Sequence, residues 1–357
     1  MREAIIVAGG LGTRLRPLTV NHPKHLLPVA GVPFLAHQIS KLARSGVDRV
    51  WLATSYHAEE FEPVFGDGGA WGIHLEYVTE TDLLGTAGAL RNVADLLHSG
   101  PDDPVVVLNG DILSGHDIAA QVEQHTEERA DATLHLVQVT DPRAFGCVPT
   151  DEHGRVTAFL EKSPDPVSHQ VNAGCYVFRR RLLDAIPTGR PVSVERETFP
   201  GLLAGGALIV GYLESAYWLD VGTPEALVRC SSDLVRGIAT SPAYPTPAGE
   251  RCLLPGSRVA ADAAVRGGST VGAGARVEAG AVVEGSVLFD GAWVGRGAVL
   301  RDSVVAARAV VGERTVLEGA VVGEDAQVGA DCELRAGARV WCEAKLTDGA
   351  VRFSTDV

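Results

Sequence analysis

Lysine is scarce: only four occur in 357 residues, at positions 24, 41, 162 and 345. Two of them fall in motifs discussed below, which makes each a marked position. All eleven histidines lie between His22 and His169, so the second half of the chain has no imidazole to act as a general base. The six cysteines (147, 175, 230, 252, 332, 342) are scattered, with no C-x-x-C pair, and read as reduced thiols. No stretch of 18 uncharged apolar residues exists, which excludes a membrane-spanning helix. The first residues lack the basic-then-apolar pattern of a secretory signal, so a cytoplasmic protein is expected. A formal charge of −14 argues against nucleic acid as a partner, because backbone binding needs a basic face.

What is there begins with IIVAGGLGTRLRPLTVNHPKHLLP, residues 5–28. A short apolar strand runs into Gly9, Gly10 and Gly12, and Arg14, Arg16 and Lys24 follow closely. Glycines let backbone approach a ligand, and fixed cations beside them can hold phosphates. Neither G-x-x-x-x-G-K-[ST] nor G-x-G-x-x-G is present, so this is neither a P-loop nor the dinucleotide fingerprint.

Strands and helices then alternate. Strands are expected at 4–7, 48–54, 73–78, 105–108, 133–139, 172–178 and 210–213, with helices at 33–45, 59–65, 86–97 and 118–129. The residues around 147–149 and 156–160 read as a hairpin. Such alternation predicts a mostly parallel sheet with ligands beyond the carboxyl ends of its strands. Asp111, after the apolar strand VVVL, would sit at such an end, where a carboxylate suits Mg²⁺; it could instead cap the helix that follows. Asp220, between an aromatic pair and a glycine turn in YWLDVGTP, could be a second metal ligand.

A Pro/Gly-rich linker, SPAYPTPAG, covers 241–249. Beyond it, apolar residues recur every six positions at 259, 265, 271, 277 and 283. The period slips to five after 283, 300 and 317, giving 288, 305 and 322, so the slips are 17 residues apart. Three short parallel strands per coil, of six, six and five residues, account for this. The pattern predicts a left-handed parallel β-helix of hexapeptide repeats, about five coils long, with one Val or Leu per strand pointing inward and glycines at the corners. The expected organisation is an α/β domain over 1–240, a linker over 241–252, the β-helix over 253–345 and a tail over 346–357.

GGLGTRLRPLT at 9–19, PKHLLP at 23–28, LNGD at 108–111, EK at 161–162, NAG at 172–174 and WLDVGTP at 218–224 together resemble the sugar-1-phosphate nucleotidylyltransferases. LLGTAGAL at 83–90 and the β-helix resemble the mannose-1-phosphate guanylyltransferase branch. The resemblance implies a Rossmann-like mixed-sheet nucleotidyltransferase domain and Mg²⁺-dependent transfer from GTP to a sugar 1-phosphate. A phosphate oxygen would attack the α-phosphorus in line, with pyrophosphate leaving. It implies that Ala8, Gly9, Gly10, Gly12 and Thr13 bring backbone to the nucleotide, that Arg14 holds the leaving phosphates and that Lys24 neutralises the α-phosphate. Glu80, Gly85, Thr86 and Gly88 would lie by the base and ribose, Glu80 accepting from guanine. Asn109, Gly110, Gly146, Glu161, Lys162, Asn172 and Gly174 would form the sugar-phosphate site, and Asp111 and Asp220 would hold Mg²⁺.

Two departures from the family pattern stand out. Ser163 follows Glu161–Lys162 where the family usually has proline, and His25 follows Lys24 where proline or alanine is common. Both positions are expected near the acceptor or the phosphates. The acceptor therefore stays open between mannose 1-phosphate and another hexose, heptose or cyclitol 1-phosphate, and dTTP or UTP stay open as donors. A non-catalytic regulatory homologue would have a damaged phosphate loop, and none is seen. An acyltransferase β-helix would need a base that the second half of the chain lacks. A homo-oligomer, dimer or tetramer, built through the β-helix is expected.

Overall fold

In the computed structural model of the protein, residues 2–80, 82–161 and 166–351 are described. The chain divides into two compact units: residues 1–10 with 38–218, and residues 11–37 with 219–357.

The first unit is built on one mixed sheet. Its central strand, Glu3–Ala8, carries Ala4, Ile5 and Ile6 fully buried and pairs in parallel with Arg49–Thr54 on one side and Pro104–Asn109 on the other. His74–Thr79 extends the parallel half. The three inner parallel strands are buried on both faces, as a parallel sheet between helices requires, whereas the edge strand His74–Thr79 is buried only at Leu75. Beyond Pro104–Asn109 the direction reverses: Gln170–Arg179 runs antiparallel to it and to Ala132–Gln138. Ile209–Leu213 pairs in parallel with Ala132–Gln138, and the small hairpin Gly146–Cys147 with Leu160–Glu161 closes the other edge. The predicted hairpin is therefore present, with a bridge between Thr150 and Val156 around the Asp151–Gly154 turn. The core gathers Leu90, Val93, Tyr176, Phe178 and Phe199, with the rings of Phe178 and Phe199 stacked at 5.6 Å.

Register places the site. Ala8 lies opposite Thr54, and Thr54 opposite Thr79, so Gly9, Ser55 and Glu80 leave the sheet side by side. On the other flank Val7 lies opposite Asn109, and the Gly110 amide donates to the Val7 carbonyl at 2.9 Å.

In the second unit the C-terminal repeats form three parallel sheets of six, six and five strands, each strand two or three residues long. The residues predicted to point inward are buried from Val265 to Val340, and Val259 is partly buried. Stacked residues lie 17 apart through the middle (Val277 on Val294, Val283 on Leu300) and 18 apart at both ends (Val259 on Val277, Val322 on Val340). On the five-residue side Ser286 and Ser303 each turn a hydroxyl back on a carbonyl two residues earlier, and Ala320 takes the same place one coil on. The same hydroxyls accept the next coil's amide, Ser303 N–H on Ser286 Oγ and Ala320 N–H on Ser303 Oγ, both at 3.1 Å.

Glycine is not the only residue at the corners. Arg308, Arg314, Asp325 and Asp331 also adopt left-handed backbone, at φ 56°, 54°, 56° and 55°. They are stacked by coil, so that Arg308 pairs with Asp325 and Arg314 with Asp331. One of the three outer faces is also apolar: the outward Val287, Val304 and Val321 are buried alongside Thr270. The helix Pro224–Arg236 packs on the start of that face, where the Ser231 and Thr270 hydroxyls lie 3.1 Å apart and Ser232 donates to the Gly267 carbonyl.

Candidate active site

In the first unit three strand ends converge. The Ser55 hydroxyl donates to the Gly9 carbonyl at 2.5 Å, fixing the first peptide of the glycine loop. A Cβ on Gly9 would stand 3.0 Å from Ser55 Oγ and 3.8 Å from Glu80 Oε2, so any larger residue would fill the space between loop and carboxylate. Glu80 is only 8% exposed, and burial raises its pKa, opposed by a hydrogen bond from the Leu84 backbone. Ser55 was not anticipated from sequence; its signal is only its place one residue past a parallel strand.

Gly85, Thr86 and Gly88 open the helix Gly85–Ala94 and pack against 190–195. Gly85 has φ +74°, and a Cβ there would come within 2.7 Å of the Val192 carbonyl oxygen. The Thr86 hydroxyl donates to Glu195 Oε2 at 3.0 Å and accepts the Val194 amide at 2.9 Å. These residues therefore fasten the helix start to the Val194–Thr198 turn.

The Asn172–Gly174 segment lies at an irregularity in the Gln170–Arg179 strand. Asn172 donates to the Tyr176 hydroxyl at 2.7 Å and its Oδ1 accepts the Gly174 amide at 3.1 Å. Gly174, at φ +74°, lets Asn109 approach: a Cβ would meet Asn109 Nδ2 at 3.0 Å. Asn109, Asn172 and Gly174 are thus brought together. Gly146 and Glu161 are paired on adjacent strands of the edge hairpin. Lys162 and Ser163 lie outside the described residues. Asp111 is half-buried just past the Pro104–Asn109 strand; the helix at Ile118–Glu127 is capped by Asp117, which accepts from Ala119 and Ala120, so Asp111 is not its cap.

In the second unit Gly12 has φ +60°, and a Cβ there would meet Thr19 Cγ2 at 3.0 Å and Lys24 Cβ at 3.1 Å. The Thr19 hydroxyl ties back to the Gly12 carbonyl at 2.8 Å. Gly12 and Lys24 are thus packed together, while Thr13 and Arg14 stand exposed on the single turn Thr13–Leu15. Arg14 Nη2 lies 3.9 Å from Asp220 Oδ2, and Gly222 leaves room for the guanidinium: a Cβ would stand 2.8 Å from Arg14 Cζ. His25 is 1% exposed. It is the buried residue of the short turn Lys24–Leu26, directly after Lys24.

Glycine loop, flanking cations and carboxylates at strand ends, followed by a β-helix, define an enzyme that handles phosphorylated substrates. Comparison with known proteins makes this specific. Residues 3–237 match the model of the nucleotidyl transferase family and residues 248–348 match that of the GMPPB C-terminal domain, so the chain belongs to the nucleotidyl transferase family and is a nucleotidyltransferase. It is 53% identical over 356 residues to a mannose-1-phosphate guanylyltransferase of Mycobacterium tuberculosis, covering 99% of this chain and 98% of that one. It is 36% identical over 224 residues to the catalytic subunit beta of the same activity in Drosophila melanogaster, covering 62% of this chain and 60% of the relative. Among solved structures, HddC from Yersinia pseudotuberculosis complexed with GMP-PN aligns with a TM-score of 0.57 at 25% identity, over 65% of this chain and 99% of that one.

Proposed function

We propose that the protein transfers the guanylyl group of GTP to mannose 1-phosphate, giving GDP-mannose and pyrophosphate. The observation that carries this is the end-to-end relationship to the mycobacterial enzyme, through both catalytic domain and repeats. Guanine as the base is supported by Glu80, a nearly buried carboxylate beside Gly9 that can accept from a base amino group, and by the guanine nucleotide bound to the Yersinia relative.

The nucleophile, a phosphate oxygen of the sugar, is already an anion. It forms a bond to the α-phosphorus while the bond to the bridging oxygen of pyrophosphate breaks, and no general base is required. Rate enhancement then comes from alignment and from neutralising charge. Gly9, Gly10 and Gly12, with Ala8 and Thr13, present backbone to the triphosphate; Arg14 holds the departing β- and γ-phosphates and Lys24 the α-phosphate. Asn109, Gly110, Asn172 and Gly174 orient the sugar, with Gly146, Glu161 and Lys162 on its phosphate and hydroxyls. Asp111 and Asp220 suit Mg²⁺: a hard cation that keeps several waters and substrate oxygens needs only one or two protein carboxylates. When bound, the ion neutralises triphosphate charge.

A homo-oligomer through the β-helix is supported by its partly exposed outward Trp293 and Val310 and by Trp341, which is 53% exposed. Sedimentation velocity reads this directly. Among the described residues no helix is long and apolar enough to cross a membrane, in keeping with a cytoplasmic location.

Pyrophosphate release with each nucleoside triphosphate against mannose 1-phosphate and a panel of other sugar 1-phosphates tests the assignment. Release fastest with GTP and mannose 1-phosphate is expected. Faster release with dTTP, UTP or another acceptor would replace it.

A further inference from the structure

The loop carrying Arg14 is bonded partly within itself and partly to the repeats. Its own amides use the carbonyls of Gly12, Thr13, Leu15 and Pro17. The carbonyls of Arg14 and Arg16 go elsewhere: both accept from one nitrogen, Arg339 Nη1, at 2.8 and 2.5 Å. Arg339 belongs to the β-helix, 325 residues along the chain from Arg14. It stacks on Val321 and so continues the outward row Thr270, Val287, Val304, Val321. The row is buried from Thr270 and apolar from Val287 to Val321, and at its last place, where the strand meets the loop, the side chain becomes a cation.

Further contacts fix the rest of the loop to the same end of the β-helix. The Cys342 thiol donates to the Pro17 carbonyl at 3.5 Å. Glu324 accepts from Asn21 at 3.1 Å and faces His22 Nε2 at 3.3 Å, and Arg308 holds Glu324 in turn at 2.6 Å. The segment from Arg14 to His22 is therefore strapped down at several points by the repeats. The Arg14 carbonyl belongs to the peptide that follows its own Cα and the Arg16 carbonyl to the peptide two residues on, so holding both restrains the turn from which the Arg14 side chain leaves the backbone. Charge neutralisation in a transition state depends steeply on such placement: an error of about 1 Å can cost ~10²-fold in rate.

We propose that Arg339 is a positioning residue for the transferase reaction, a β-helix side chain that sets the direction of Arg14 through the Arg14 and Arg16 carbonyls. The inference rests on the reading of Arg14 as the holder of the leaving phosphates. It assigns the repeats a part in catalysis beyond assembly, without placing any repeat residue on the substrate.

The test is a double-mutant cycle in the full-length protein, with kcat and KM for GTP measured for Arg14→Ala, Arg339→Met, Arg339→Lys and the Arg14→Ala/Arg339→Met pair. Arg339→Met is expected to lower kcat by about 10-fold in the native background and by less than about twofold beside Arg14→Ala, because the two act as one unit. Both bonds come from a single nitrogen, so the lysine ammonium can serve both carbonyls, and Arg339→Lys is expected to recover most of kcat. Thermal melting of each variant separates this from loss of fold, since a purely structural role would track the melting temperature and not the cycle. If Arg14→Ala is severe but Arg339→Met costs the same factor in both backgrounds, the positioning role is overturned and the reading of Arg14 stands. If Arg14→Ala is neutral, the phosphate role of Arg14 falls, and the inference with it.

Discussion

Arg14 and Asp220 face one another at 3.9 Å, guanidinium Nη2 to carboxylate Oδ2, with Asp220 the more buried of the two. A carboxylate proposed to share a metal with the triphosphate thus lies beside the cation proposed to take the leaving phosphates. Replacing either proposed metal carboxylate should therefore damage turnover more than affinity for the sugar. Asp111→Asn and Asp220→Asn are each expected to lower kcat by ~10²-fold or more, and Mg²⁺ titration of the variants should show a raised half-saturation. Near-native turnover at saturating Mg²⁺ would remove that residue from the role.

Lys162 is one of only four lysines, and a compact ammonium at a phosphate is a binding group before it is anything else. Lys162→Ala should raise the KM for mannose 1-phosphate by about 10-fold or more while leaving the KM for GTP within about twofold. Steady-state kinetics with each substrate varied in turn decides it, and an unchanged sugar-phosphate KM would exclude the contact.

The first unit hides three neutral histidines. Burial holds His125 at about 4 and His135 at about 3, and burial with the nearby Lys41 charge holds His116 well below its ordinary 6.5; His116 and His135 are stacked at 3.7 Å. In each case the folded state is the weaker base. The stability they allow is complete above about pH 6.5 and is lost as pH falls from there, towards about 4 for His125 and about 3 for His135, because over that range only the unfolded chain takes up the protons. Urea unfolding from pH 7 to pH 5 should show a steep decline, and His135→Gln should flatten it by about 1.4 kcal/mol per pH unit. An unchanged slope would mean that the site admits a proton without cost.

The serine ladder of the repeats makes a stability prediction independent of catalysis. Ser303 is fully buried, and its hydroxyl receives the Ala320 amide at 3.1 Å. Ser303→Ala leaves that amide unpaired and should cost about 1–3 kcal/mol. Chemical denaturation would detect it, and a loss below about 0.5 kcal/mol would show that the coil relaxes around the gap.

Periodicity made the inward row of the β-helix readable, because one buried residue per strand repeats without regard to anything outside the coil. The slips at 283, 300 and 317 were readable too, although the turned-back serine hydroxyls at the first two, with Ala320 in their place at the third, are a matter of hydrogen bonding that periodicity does not encode. Strand ends were readable from VVVL before Asn109 and IIVA before Gly9, since the apolar run that fills the sheet interior stops where the strand leaves it. Ser55 was not, because a serine after a strand has no pattern of its own. Nor was the burial of His25, since a histidine in a short turn beside a lysine carries no sign of its own that it is buried. The outward row at 287, 304 and 321 could have been found: each is the first of two adjacent apolar residues, and the second already faces inward.

The row from Thr270 to Arg339 also measures distance. The helix Pro224–Arg236 is attached at Thr270 and Gly267, the loop of Arg14 at Arg339, and four strand spacings of about 4.8 Å, roughly 19 Å in all, separate the two fastenings. The β-helix is in this respect a ruler. Excising one complete 17-residue repeat would leave every remaining coil able to stack on its neighbour, yet bring the far fastening up one division short. Repeat number is thereby under a constraint that folding alone would not impose, and chains of this design should tolerate changed residues within coils far better than a changed count of them.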